Sequence, residues 1–108
     1  MAFVPLIELS RCRRRGGTFV EHTGRELAVF LLGEPPRVVV TDNACPHAGG
    51  NLSGGEVDGT VVTCPWHEWR FDLEQGVCTN SPLARLVRYA SEVREGVVWA
   101  DLGMANAE

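Results

Sequence analysis

Two short runs, Cys45-Pro46-His47 and Cys64-Pro65-Trp66-His67, each place a thiol and an imidazole within three residues. Thiolate sulfur and neutral imidazole nitrogen are metal donors, so four such groups on two loops describe a metal site. Sixteen residues separate His47 from Cys64, enough for a returning pair of short strands that brings the runs face to face. Two cysteines and two histidines suit tetrahedral zinc; they also suit a 2Fe-2S centre with two thiolates on one iron and two imidazoles on the other. Spacing weighs between them. The first run has a single residue between Cys and His, whereas paired ligands of structural zinc are usually about two to five residues apart. Gly49-Gly50 and Gly54-Gly55 keep the loops slim, as they must be if backbone amides are to approach inorganic sulfide.

The elements that position these loops read as β. Phe3 to Leu9 is a first strand; Thr18 to His22, the turn Thr23-Gly24 and Glu26 to Leu32 form a hairpin. Gly33-Glu34-Pro35-Pro36 breaks that strand, and Val38 to Thr41 forms the next. From Asn43 to about Leu83 the chain is denser in Gly, Pro, Cys, His and Trp than either flank. This stretch reads as an inserted subdomain carrying the site, with Val61 to Thr63 entering the second loop and Arg70 to Leu73 leaving it before a turn at Glu74-Gln75-Gly76. Leu86 to Tyr89 and Gly96 to Ala100 resume the β pattern, with Glu95-Gly96 as a hairpin turn. Gly103 to Glu108 reads as a frayed end. The expected fold is all-β: a sandwich or barrel base with a smaller β subdomain inserted at 43–83, in one domain spanning 1–108.

Size and charge narrow the function. A chain of 108 residues and 11.8 kDa leaves little room for a second catalytic module. No apolar stretch approaches the roughly 18 residues of a membrane span, and Phe3-Val4-Pro5-Leu6-Ile7 is followed by Glu8 and an arginine cluster rather than by an export signal. The expectation is a soluble, cytoplasmic protein. A net charge of −4 argues against general nucleic-acid binding and suits docking on a basic partner. All ten basic residues are arginine, and Arg11, Arg13, Arg14 and Arg15 read as a solvated loop or, second, as a docking patch. Cys12 and Cys78, outside the motif, read as reduced thiols, with Cys78 filling space at a strand edge.

The residues resemble the Rieske 2Fe-2S family. Cys45-Pro46-His47-Ala48-Gly49-Gly50-Asn51-Leu52 with Gly54-Gly55 resembles its first loop, and Cys64-Pro65-Trp66-His67 its second. Phe71-Asp72-Leu73, Gly76 and Ser81-Pro82 fall where Rieske ferredoxins carry their downstream landmarks, including a proline loop over the cluster. The resemblance implies one 2Fe-2S cluster, with Cys45 and Cys64 on the buried iron and His47 and His67 on the outer one through Nδ1.

Within that family, domains of respiratory and photosynthetic complexes add a disulfide and cluster-facing hydroxyls. The matching positions here are Gly50 and Trp66, and Trp69 and Phe71, which supply neither. The resemblance thus implies a low-potential ferredoxin, near the bottom of a range of roughly −150 to +300 mV. Ring-hydroxylating oxygenases add a mononuclear iron held by two histidines and a carboxylate. This chain has only His22 to spare, which reads as a strand or turn residue. Glu68, where glycine is common, reads first as solvated and second as tuning partner choice or potential; Trp69 reads as packing, and Trp66 as packing or docking surface.

The expected function is an electron carrier, not an enzyme: a monomer taking one electron from a flavin-dependent reductase to the terminal oxygenase of a dioxygenase system. The alternative is the small Rieske subunit of an NADH-dependent assimilatory nitrite reductase, bound to its large sirohaem subunit. A redox or iron sensor is a weaker third reading, since no output element is recognisable.

Overall fold

The computed structural model describes residues 3–33, 37–44, 51–65, 69–79 and 85–106. Among them are ten strands, two single 3-10 turns and no α-helix. A six-stranded antiparallel sheet contains β1 (Phe3–Glu8), β2 (Gly17–His22), β3 (Arg25–Leu32), β4 (Arg37–Asp42), β9 (Arg88–Arg94) and β10 (Val97–Asn106) in the order β1-β10-β9-β4-β3-β2. Its two edge strands also approach each other, so the sheet is nearly a closed barrel. A second, four-stranded sheet, ordered as in the chain, contains β5 (Glu56–Asp58), β6 (Val61–Thr63), β7 (Arg70–Asp72) and β8 (Val77–Cys78).

The unbroken apolar run in β3 has a physical reason. Alternate side chains of a strand face opposite sides, and here both sides are buried. Leu27 and Val29 point into the barrel with Val20, Val40, Tyr89, Val98 and Ala100. Ala28, Phe30 and Leu32 point the other way, onto Leu52, Val62, Phe71, Leu73 and Leu86 of the site region. β3 is therefore a wall shared by two cores. β4 repeats the alternation, Val38 and Val40 facing the barrel and Val39 the second core. Each fully buried Leu or Phe contributes about 1.5–3 kcal/mol of transfer free energy.

Both predicted hairpin turns are present. Thr23-Gly24 has φ of 47° and 88°, and Glu95-Gly96 has 50° and 79°, the left-handed pair of a type I′ turn whose twist matches the strands it joins. Other expectations need correction. Strand pairing after the site begins at Arg88 rather than Leu86, and the last strand does not stop at Ala100. It continues to Asn106 past an irregularity between Ala100 and Ala105, after which Ala105 pairs with Tyr89 and Asn106 with Arg88. Ala105 and Asn106 are thus paired with a neighbouring strand where a frayed end was expected.

Candidate metal centre

Of the four expected ligands, only Cys64 lies in the described residues; Cys45, His47 and His67 fall outside them, as do Gly49, Gly50, Trp66, Glu68, Ser81 and Pro82. What is described is how the loops carrying them are closed. The first loop is drawn together by an antiparallel bridge between Ala44 and Asn51, and Leu52 N–H donates to the Asn43 carbonyl at 2.7 Å. The second springs from β6 and returns into β7, and Cys64 N–H donates to the Trp69 carbonyl at 2.7 Å. A third, holding Ser81-Pro82, is closed by the Val77–Arg85 bridge and by Leu86 N–H donating to the Gly76 carbonyl at 2.8 Å. Three loops therefore leave the sheets through hydrogen-bonded necks.

The first and second loops meet at their bases. Gly54 lies beside Pro65, and a Cβ on Gly55 would stand 2.2 Å from the Thr63 carbonyl oxygen. Gly55 is thus required because the end of the Leu52–Gly54 turn crosses directly over β6, a more immediate reason than access to sulfide. Cys64 is fully buried in the second core, among residues including Val62 and Phe71. A thiolate there suits a metal ion held away from water. A donor set of two thiols and two imidazoles fits a 2Fe-2S cluster. Phe71 is itself fully buried and Trp69 packs partly buried against the same core, in line with the packing role expected for Trp69.

Other singled-out residues lie elsewhere. His22 ends β2 and pairs with Arg25. Cys78 is buried in β8, the edge strand of the small sheet, while Cys12 follows the first 3-10 turn and packs on the barrel core, so the two sit in different clusters. Burial pushes the Cys12 thiol up from its ordinary value. The arginine cluster is partly structural: Arg13 Nη1 donates to the carbonyls of Gly17 and Ser53 at 3.2 and 3.3 Å. Sequence reasoning also missed Tyr89, whose hydroxyl donates to Asp42 Oδ1, three residues before Cys45. Burial and that carboxylate raise its pKa to about 12. On the outer face of the small sheet, Asp58, Val61, Thr63, Arg70 and Thr79 line a shallow depression of mixed character.

Comparisons with known proteins agree with this arrangement. The family model for the Rieske [2Fe-2S] domain matches residues 3–91. The chain is 40% identical over 75 residues to the oxygenase component of 3-ketosteroid-9-alpha-monooxygenase from Rhodococcus rhodochrous, a match covering 69% of this chain and 19% of that protein. It spans about a fifth or less of the curated relatives it matches. Among solved structures it is similar to the Sphingomonas yanoikuyae B1 ferredoxin, with a TM-score of 0.82, 27% identity and coverage of 93% of this chain and 98% of the ferredoxin. A putative NADH-dependent nitrite reductase small subunit from Mycobacterium tuberculosis superposes with a TM-score of 0.81 at 23% identity, over 92% of this chain and 93% of the subunit, and shares the fold. Among the described residues no helix is long and apolar enough to cross a membrane.

Proposed function

Because the chain belongs to the Rieske [2Fe-2S] domain family and so to proteins carrying a Rieske-type cluster, we propose that it carries single electrons from a flavin-dependent reductase to a terminal oxygenase. The observation that carries this reading is the likeness to a ferredoxin along nearly the whole of both chains. The higher identity to an oxygenase component favours an oxygenase system as the setting. Cys45 and Cys64 hold one iron, and His47 and His67 the other. When bound, the cluster would supply one-electron chemistry, accepting the electron more readily than an all-cysteine cluster because two of its ligands are neutral. The protein's own residues bury Cys64 and close the loops at their necks. None need act as acid, base or nucleophile.

In this reading residues 1–108 form one Rieske domain with a cluster-binding subdomain at about 43–83. The protein is cytoplasmic, monomeric when alone, and meets its partners through a small transient interface near the histidines. Phe71 in place of a hydroxyl leaves the potential low. The nitrite reductase reading has the shared fold as its support.

The first test is iron and sulfide analysis with an EPR spectrum of the anaerobically reduced protein. Iron and sulfide in equal amounts with a Rieske-type signal are expected; zinc without iron would end the proposal. Reduction by a flavin-dependent reductase and onward transfer to an oxygenase would then support the carrier reading, and co-purification with a sirohaem protein the other.

A further inference from the structure

Asn43 stands at the start of the first loop and is 1% exposed. A buried amide loses free energy if its donor or acceptor goes unpaired, so its partners are informative. Its backbone N–H donates to the Glu26 carbonyl at 2.9 Å, anchoring it to β3. Its other bonds reach across to the loop's far end. Its carbonyl accepts from Leu52 N–H, its Oδ1 accepts from Ser53 N–H at 2.9 Å, and its Nδ2 donates to Asn51 Oδ1 at 3.0 Å.

Ser53 is held at its carbonyl too, which accepts from the Arg13 guanidinium that also donates to the Gly17 carbonyl. The paired glycines make room for this. A Cβ on Gly17 would lie 2.6 Å from Ser53 Cα, and one on Gly16 would lie 2.7 Å from Arg13 Nη2. The loop's exit is therefore laid directly on β2 and tied to its own start.

We propose that Asn43 is a positioning residue of the metal centre: it fixes the separation of the two ends of the loop that carries Cys45 and His47, with Arg13 as an outer brace. The inference rests on the ligand assignment above. A loop whose ends are fixed presents two ligands in few arrangements, and freeing one end multiplies them.

The test compares full-length holoprotein variants by the rate of iron release to a chelator without oxygen, and by the line width of the reduced EPR signal. Asn43→Leu should release iron about 10-fold faster, the lower end of the loss seen when a group that orients a metal ligand directly is removed, and broaden the signal. Asn43→Asp keeps the acceptor for Ser53 N–H and lets the Asn51 amide turn to donate, so it should restore most of the wild-type rate. Arg13→Gln should show a smaller increase. The control is Val98→Ala, a cavity in the barrel core remote from the loops, compared at the same distance below each Tm. Should Asn43→Leu fail to fold, the exposed Asn51→Ala removes one of the same bonds and reads the same effect. Release by Asn43→Leu or Asn51→Ala no faster than by the control would make Asn43 merely structural. A wild-type chain lacking iron and sulfide would instead overturn the ligand assignment.

Discussion

The two sheets differ in what holds them in register. Strands of the large sheet run for 6 to 10 residues, and those of the small sheet for 2 or 3. A long strand sets its own register through alternating side chains, because a slip of one residue would turn every buried group to solvent. A strand of two or three residues has too few such groups. Its register comes from outside: from the core it shares with β3, from a glycine where two backbones cross, and from bonds such as those of Asn43. The region that carries the proposed ligands is thus the one that depends on its neighbour for shape.

The largest expected effect separates the site from the scaffold altogether. Cys64→Ala should abolish cluster binding, read as loss of iron and of visible absorbance, while the barrel's amides keep their protection in hydrogen exchange. Equal loss of protection throughout would show that the two regions do not hold separately.

Next come paired core truncations. Phe71→Ala should cost about 3–5 kcal/mol and Leu27→Ala about 2–5 kcal/mol in denaturant unfolding. The informative difference is where protection is lost. Phe71→Ala should expose amides of β5 to β8 before those of β9 and β10, and Leu27→Ala should lower both together. If Phe71→Ala also lowers both together, the dependence of one sheet on the other is mutual rather than one-sided.

A smaller effect lies within the large sheet, between β9 and β4. Tyr89 titrates near 12 in the folded protein and near 10 when unfolded. The folded state therefore binds the phenolic proton more tightly, and the stability this gives is complete below about pH 10 and lost as pH rises towards 12. Tyr89→Phe should be less stable at neutral pH and flatter in stability between pH 10 and 12, followed by thermal unfolding across that range. The smallest effect is expected at the Arg37–Glu74 ion pair, which joins β4 to the small sheet at the surface. Arg37→Ala should cost at most about 1 kcal/mol and lose even that in high salt.

These contrasts also explain what was legible in the sequence. The ligand runs could be read because coordination fixes residue type and spacing together. The long strands could be read from alternation and from Thr23-Gly24 and Glu95-Gly96, whose chemistry names the turn. β5 offers a single buried apolar residue, Val57, and β8 is two residues long, so neither has a period to detect. Gly103 to Glu108 read as a frayed end because an irregularity between Ala100 and Ala105 interrupts the strand's alternation. Asn43 gave no signal at all. Its significance depends on partners eight to ten residues ahead, and Arg13 looked like surface charge until its partner, 40 residues away, was known.

The Glu95-Gly96 turn offers a practical handle. β9 runs from Arg88, which pairs with Thr41 near the first loop, to Arg94 beside this turn, about 20 Å away at the usual rise of a strand. Glu95 is exposed, and space around the Gly96 Cβ position is open. A tether on the Glu95 side chain would anchor the molecule to an electrode at the end of β9 opposite Arg88, away from the strand end where the first loop is rooted.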